Sequence, residues 1–111
     1  MNYDASTSLP TQQSYVAGRY LASQSGETFS TRHPGNDRVI CEIETAGQME
    51  VDAAVAAARE AFPAWSQTPA AERGAILRRA AAILRERNDE LAALETLDTG
   101  KPLSETTAVD V

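Results

Sequence analysis

Aromatic residues, cysteine and histidine are scarce in this sequence of 111 residues. Only 5% of the residues are aromatic, and the chain has one cysteine and one histidine. A single cysteine excludes a disulfide within the chain, and a single histidine provides neither a metal cluster nor a catalytic triad by itself. Few large side chains are available to offset the conformational entropy that is lost on folding. The sequence therefore indicates a small core.

Excess positive charge and long apolar runs are also missing. The formal net charge of −6 argues against nucleic acid or an acidic membrane surface as the main partner. No segment approaches the length of a membrane span, and the first residues lack the basic and apolar regions of a secretory signal. Together with the lone cysteine, these features predict a soluble protein of the cytoplasm that binds neither nucleic acid nor membrane.

The first part of the sequence predicts short strands. Residues 1–13 are polar, and we expect them to form a flexible leader. In the last predicted strand, Val39, Cys41 and Ile43 are expected to share one face. Turn-forming residues separate the strands, and the first two strands are expected to form a hairpin. The predicted strands are residues 15–16, 19–21, 27–31 and 38–44.

The second part of the sequence predicts helices. Gly47 opens a run of apolar residues at helical spacing, and Pro63 is expected to end or bend this helix. Thr68 and Pro69 predict the start of the next helix, because threonine caps helices and proline is tolerated at the first helical position. A break at residues 88–89 is expected to divide the following run. The segment alone therefore reads as short strands followed by two or three α-helices.

Several features resemble reactive or binding sites, but their context favours structural roles. Cys41 lies on an apolar strand face, where a thiol behaves as a small buried hydrophobe. His33 lies in a predicted turn, and we expect it at the surface. The arginines within residues 73–87 alternate with acids, which predicts a solvated helix face. The sequence DTGK at residues 98–101 follows a helix and precedes Pro102, so it is not a phosphate-binding loop. No glycine-rich dinucleotide fingerprint is present.

Asp98 is harder to explain. It lies in the last turn of a predicted helix that stops at Gly100, where the helix dipole is negative and repels a carboxylate. Lys101 or solvent would neutralise this charge in the simpler interpretation. Alternatively, the carboxylate and nearby backbone carbonyls form an oxygen-rich pocket that binds a hard cation such as potassium. The residues alone leave both interpretations open.

Three longer stretches carry a resemblance to a known family. They are YVAGRYLASQSGETFSTRHP (residues 15–34), EVDAAVAAAREAFPAW (50–65) and AILRRAAAILRERNDELAALETLDTGKPLSETTAVDV (75–111). From residue 14 to residue 111, the chain resembles the N-terminal part of the aldehyde dehydrogenase superfamily, and within it most closely the bacterial betaine aldehyde dehydrogenases. The stretch RERNDELAALETLDTGKPLSET is the most specific part of the resemblance.

The resemblance implies a complete α/β enzyme, aldehyde dehydrogenase-like in fold and several times longer than this chain. Such an enzyme oxidises a small aldehyde with NAD through a cysteine thiohemiacetal, hydride transfer and thioester hydrolysis, and it is expected to be a homo-oligomer. The catalytic residues and the NAD site of the family lie downstream of the matched region. We therefore expect residues 14–111 to stop before them, and the isolated chain to carry no catalytic or NAD-binding residue and to be inactive.

The resemblance also implies part of a potassium site. In the family, backbone oxygens after a strand and an aspartate bind the ion, and these positions correspond to Thr31, Arg32 and Asp98. The family more often has an apolar residue and asparagine where this chain has Arg32 and His33, and at least one further ligand comes from beyond residue 111. Two other hypotheses stay open: a free-standing α+β module that binds a partner, and another subfamily that acts on aminoaldehydes.

Overall fold

The computed structural model describes residue 4 and residues 6–110 of the chain. The predicted order of strands followed by helices is confirmed for these residues. None of the described helices is both long enough and apolar enough to cross a membrane. In chain order the elements are β1 (Ser14–Val16), β2 (Arg19–Leu21), β3 (Thr28–Arg32), β4 (Val39–Glu44), α1 (Gln48–Gln67), α2 (Ala70–Glu86), α3 (Asn88–Thr99), α4 (Leu103–Glu105) and a π-helical segment (Thr106–Asp110).

The predicted hairpin at the start of the chain is confirmed. β1 and β2 pair antiparallel, with Tyr15 opposite Tyr20. The two turn residues, Ala17 and Gly18, have φ angles of 51° and 81°. Positive φ at both central residues is typical of the two-residue turns whose twist matches that of a hairpin. The turn therefore fixes the register of the two strands.

β3 and β4 form a second antiparallel pair that contains a β-bulge. Thr31 lies opposite Cys41, whereas the next residue of β3 lies opposite Val39, so Ile40 is an extra residue in β4. Ile40 and Cys41 are consequently both buried, while Val39 is exposed. The predicted common face of Val39, Cys41 and Ile43 is therefore wrong for Val39, because the bulge interrupts the alternation of side chains.

Part of the predicted leader lies along β4. The backbone N–H of Leu9 donates to the carbonyl of Ile40 at 2.8 Å, and the N–H of Gln12 donates to the carbonyl of Glu42 at 2.8 Å. The start of that leader lies largely outside the described residues. Where it is described, backbone hydrogen bonds attach it to the free edge of β4, a contact that polar composition does not indicate.

Helix α1 begins as predicted but ends later. Gly47 precedes it, and the N–H of Gly47 donates to Oε2 of Glu50 at 2.7 Å. The helix continues through Pro63 and ends at Gln67, so of the two predicted effects of Pro63, an end or a bend, the end is wrong. A proline inside a helix removes one N–H donor, at a cost of about 3 kcal/mol or more. The residues after Pro63 nevertheless complete a further turn, which the N–H of Thr68 closes by donating to the carbonyl of Ala64.

The junction between α1 and α2 differs from the predicted cap. The hydroxyl of Thr68 donates to the carbonyl of Ala64 at 2.9 Å, and the N–H of Thr68 donates to the same oxygen at 3.1 Å. Thr68 therefore closes α1 instead of capping α2. Pro69 is the residue before α2 and not its first helical residue. The predicted roles of both residues are wrong, because a threonine hydroxyl also satisfies carbonyls of a preceding helix.

The predicted stop at Gly100 is confirmed, and the break predicted at residues 88–89 occurs one residue earlier. α2 and α3 are separated at Arg87, and α3 ends at Gly100, which has a φ of 75° and donates its N–H to the carbonyl of Thr96 at 2.9 Å. The following segment folds back on α3. The hydroxyl of Thr106 lies 2.9 Å from that of Thr96, and Thr106 is fully buried.

The core of the described residues is small, and its buried apolar side chains belong to β4 and α3. Large apolar side chains on α1 and α2 are instead exposed, such as Phe62 at 66% and Leu77 at 64%. The radius of gyration is 17.3 Å, compared with about 13 Å for a compact domain of this length. The described residues therefore leave the apolar faces of α1 and α2 uncovered. The buried hydrophobic residues are Ile40, Cys41, Ala92 and Leu97.

Candidate functional site

An open cavity of about 780 Å³ lies where the second strand pair meets α2 and α3. Its wall is largely apolar, and its polar groups come from three different elements. Thr31 belongs to β3, Arg85 to α2, and Glu95 and Asp98 to α3. The lining residues are Leu9, Thr31, Ile40, Cys41, Ile43, Ala81, Leu84, Arg85, Leu91, Leu94, Glu95, Leu97 and Asp98.

Two of the three predicted cation ligands line this same cavity. Thr31 is half-buried, and its hydroxyl lies 3.5 Å from the sulfur of Cys41 on β4. Asp98 is exposed in the last turn of α3. These residues are far apart in sequence, and the fold places both on the wall of one cavity.

A close packing contact brings the end of α3 against the turn that follows β3. A Cβ atom placed on Gly100 would lie 3.2 Å from Cγ of Pro34, which is tighter than ordinary van der Waals contact. Gly100 also has a left-handed backbone conformation that ends the helix. The absence of a side chain at Gly100 therefore serves both the helix stop and the approach of Pro34.

Arg32, the third predicted ligand, does not line the cavity with its side chain. Its guanidinium donates to the carbonyl of Asp37 at 2.8 Å and lies 3.7 Å from the carboxylate of the same residue. The prediction for Arg32 concerns its backbone oxygen, which is unaffected by the direction of the side chain. The local pairing with Asp37 directs the positive charge of Arg32 into the β3–β4 turn.

The charges around the cavity are mixed. Glu95 and Asp98 lie one helical turn apart on α3, and Arg85 lies on α2. The carboxylates of Glu95 and Asp98 lie at the negative end of the helix dipole. The part of the cavity wall that they form, called the rim below, therefore favours a cation. No group of three or more His, Cys, Asp or Glu side chains within the described residues is arranged to hold a metal ion. Any cation on this rim would need backbone oxygens as well as carboxylates.

Cys41 and His33 have the structural roles that the sequence predicts. Cys41 is buried, with its thiol against the hydroxyl of Thr31. Nδ1 of His33 accepts a hydrogen bond from the N–H of Gly35 at 2.9 Å, which stabilises the turn. His33 is half-buried and not fully exposed as expected, because its ring packs over this turn.

Sequence reasoning missed two glutamates that anchor the loop between β2 and β3. Glu50 is buried, and it accepts hydrogen bonds from the N–H groups of Gln24 and Gly47, which lower the pKa of its carboxyl. Glu44 accepts from the side chain of Gln13 and the N–H of Ser23, and these bonds likewise lower its pKa. The position of Glu50 three residues after Gly47 is a capping-box spacing that could have indicated part of this arrangement.

Comparison with known proteins establishes the family. Residues 20–111 match the family model described as "Aldehyde dehydrogenase family". The match covers β2 except its first residue, and all the later elements, including every residue of the candidate cation site. The chain belongs to the aldehyde dehydrogenase family.

Solved structures of this family superpose closely on the chain. PnpE from Pseudomonas sp. WBC-3 is 42% identical over 91% of this chain, with a TM-score of 0.87. Gamma-glutamyl-gamma-aminobutyraldehyde dehydrogenase from Burkholderia cenocepacia J2315 is 42% identical over 89%, with a TM-score of 0.84. A point mutant of betaine aldehyde dehydrogenase from Staphylococcus aureus, in complex with NAD⁺, is 37% identical over 87%, with a TM-score of 0.82.

The expected aldehyde dehydrogenase-like fold is confirmed by these superpositions. The matched region accounts for 21%, 20% and 20% of the three solved chains, respectively. The chain therefore spans about one fifth of the length of these structures. Proteins named for different aldehydes match at similar identity, so membership is established at the level of the family.

Proposed function

We propose that this chain is the N-terminal segment of an NAD-dependent aldehyde dehydrogenase that oxidises betaine aldehyde to glycine betaine. The observation that carries the proposal is the family match over residues 20–111. The resemblance of RERNDELAALETLDTGKPLSET to betaine aldehyde dehydrogenases favours this substrate, and a betaine aldehyde dehydrogenase in complex with NAD⁺ is among the superposed structures. In the complete enzyme, this segment would act as a scaffold.

The 111 residues alone would form no NADH. Cys41 is buried on a strand face, and we assign no residue of this chain to catalysis. The test compares the isolated chain with the complete protein, each supplied with NAD⁺ and betaine aldehyde, by NADH absorbance. Turnover by the isolated chain would contradict the proposal, and absence of turnover by the complete protein with any aldehyde would also contradict it.

A second substrate class, the aminoaldehydes, is supported by a specific observation. The gamma-glutamyl-gamma-aminobutyraldehyde dehydrogenase is 42% identical to the chain, compared with 37% for the betaine aldehyde dehydrogenase. Both substrates carry a nitrogen group, but only betaine aldehyde carries a permanent positive charge. Values of kcat/KM for the two aldehydes, measured on the complete protein, separate these candidates. A higher kcat/KM for the gamma-glutamyl substrate would overturn the assignment to betaine aldehyde.

We propose in addition that backbone oxygens of Thr31 and Arg32, together with the carboxylate of Asp98, contribute to a potassium site. The position of Thr31 and Asp98 on one cavity wall supports the proposal. So does the contact of Gly100 with Pro34, which holds the end of α3 against the segment that follows β3. Oxygen ligands of this kind suit a hard cation, and the ion would offset the repulsion between Asp98 and the helix dipole.

The variant Asp98→Asn tests this site through thermal stability as well as activity. We expect potassium to bind the variant about tenfold more weakly, the factor that corresponds to the loss of one interaction with a charged group. The ion then stabilises the variant by up to about 1.4 kcal/mol less than it stabilises the wild type. In sodium or choline salts, the same variant is expected to be more stable than the wild type by about 0.3–1 kcal/mol, because a repulsive charge is removed from the helix end.

Asp89→Asn is the matched control for this test. Asp89 is an exposed aspartate at the opposite, N-terminal end of α3, where a carboxylate is favourable. Its removal is expected to leave the potassium dependence unchanged and to lower stability slightly in every salt. If Asp98→Asn behaved like the wild type in potassium, the site would be refuted and Lys101 would become the preferred partner of Asp98.

A further inference from the structure

Glu44 holds the β1–β2 hairpin at its base, on both strands. Nε2 of Gln13, the residue before β1, donates to Oε1 of Glu44 at 2.9 Å. The N–H of Ser23, just after β2, donates to Oε2 of the same carboxylate at 2.6 Å. Both oxygens of one carboxylate are thus used to join the two ends of the hairpin to the end of β4.

Glu50 binds the backbone of Gln24, the residue that follows Ser23 in the loop between β2 and β3. The N–H of Gln24 donates to Oε1 of Glu50 at 2.9 Å, and the N–H of Gly47 donates to Oε2 at 2.7 Å. The hydroxyl of Ser23 adds a bond to the carbonyl of Thr45 at 2.6 Å. Consecutive N–H groups of the loop are therefore held by two different carboxylates, and the second carboxylate also caps the start of α1.

The arrangement requires both carboxylates to be ionised. Every group that faces them in these bonds is an N–H donor, and a protonated carboxyl would present a further donor to them. The hydrogen bond from Gln13, followed by that from Ser23, lowers the pKa of Glu44, and the nearby charge of Glu50 opposes this effect. The hydrogen bond from Gln24, followed by that from Gly47, lowers the pKa of Glu50.

We propose that Glu44 and Glu50 form an acid-sensitive clasp that sets the position of the β1–β2 hairpin relative to the start of α1. The clasp is closed while both carboxylates are ionised, and it opens when they are protonated. It also determines where the hairpin presents its exposed aromatic pair, Tyr15 and Tyr20, whose ring centroids are 5.2 Å apart. Because the carboxyl pKa values are lowered on folding, the stabilisation is complete above the usual glutamate range and is lost as the pH falls through the lowered values.

Hydrogen exchange of the complete protein, followed by mass spectrometry, tests the clasp. The peptides of interest cover residues 13–24, and rates are normalised to an unstructured reference at each pH. We expect Glu44→Gln and Glu50→Gln each to accelerate exchange of these peptides by about tenfold at pH 7, the effect of losing one hydrogen bond to a charged group. Glu42→Gln is the matched control, because Glu42 lies on the same strand but accepts its bond from the Ser30 hydroxyl at 2.5 Å.

A pH series on the wild type keeps the proposal testable even if a variant does not fold. Between about pH 7 and about pH 3, normalised protection of residues 13–24 is expected to fall while peptides from β4 and α3 remain protected. Equal exchange in the two test variants and the Glu42→Gln control would overturn the proposal. So would a wild type in which residues 13–24 lose protection only together with β4 and α3.

Discussion

Gly100 is the residue at which α3 stops and meets the turn after β3. Its positive φ is unfavourable for residues that carry a Cβ, and the space where a Cβ would lie is already taken by Pro34. Asp98, two residues earlier, lies on the wall of the cavity. The helix stop and the close approach of Pro34 therefore both depend on the absence of a side chain at this one position.

Replacement of Gly100 by alanine is expected to lower the free energy of unfolding by more than the same change at Gly26. Both glycines have positive φ, 75° and 68°, so both variants lose about 1–2 kcal/mol from backbone strain. A Cβ on Gly26 has no neighbour within 4 Å, whereas one on Gly100 meets Pro34. Urea denaturation of the complete protein measures the difference. Equal losses in the two variants would show that the Pro34 contact does not constrain the end of α3.

At the scale of elements, the sequence predicted what local patterns control. The turn at Ala17 and Gly18 and the stop at Gly100 depend on nearby residues, and both occur as predicted. The break between α2 and α3 is also local, and it lies at Arg87, one residue before its predicted position. The bulge at Ile40 depends on pairing with another strand, so alternation within β4 could not reveal it. Thr68 lies between α1 and α2 and could cap either helix. Its hydroxyl donates to Ala64 of α1, a choice that the local sequence does not determine.

The candidate site was predictable only in part, because some of its residues are brought together by contacts between segments that are distant in sequence. The dipole argument identified Asp98 from its own helix, but Thr31 and Arg32 were reached only through the resemblance. Leu9 and Ile40 line the cavity because of contacts that are distant in sequence. The hairpin and loop partners of the clasp glutamates were missed because they lie more than twenty residues away in sequence, as with Glu50 and Gln24, whereas only the contact of Glu50 with Gly47 is local.

The junction between α3 and the π-helical segment leads to a prediction about these elements. Thr106 is fully buried, and its hydroxyl donates to the carbonyl of Leu103 at 3.2 Å while it lies 2.9 Å from the hydroxyl of Thr96. We expect Thr106→Val to destabilise the protein by about 0.5–1.5 kcal/mol, because the buried hydroxyl and its bond with the half-buried Thr96 are lost, while the Leu103 carbonyl keeps the N–H of residue 106 as a donor.

Thr107→Val is the matched control for this prediction, and thermal or urea denaturation is the measurement. Thr107 is exposed, and its backbone carbonyl, not its side chain, accepts from Asn88 at 3.1 Å. A change within about 0.5 kcal/mol is expected for this surface substitution. If both valine variants had the same stability, the hydroxyl contact between Thr96 and Thr106 would contribute nothing to the docking of the segment on α3.

At the scale of the whole molecule, the uncovered faces of α1 and α2 indicate that the described residues do not complete a core. Phe62 and Trp65 on α1 and Leu77 and Leu84 on α2 are exposed. Helices in globular proteins obtain most of their stability from packing of an apolar face, and an isolated helix of this length is marginal. The proposed function accounts for these faces, since a longer dehydrogenase would cover them with the rest of its chain.

Hydrogen exchange on the isolated 111 residues and on the complete protein tests this last inference. Peptides from Gln48–Gln67 and Ala70–Glu86 are expected to exchange near the unfolded rate in the isolated chain and to be strongly protected in the complete protein. Peptides from Asn88–Thr99 serve as the internal reference, because this helix already buries Ala92 and Leu97. Strong and equal protection of α1 in both forms would contradict the inference and would favour a free-standing module, because such helices need no further polypeptide to stay folded.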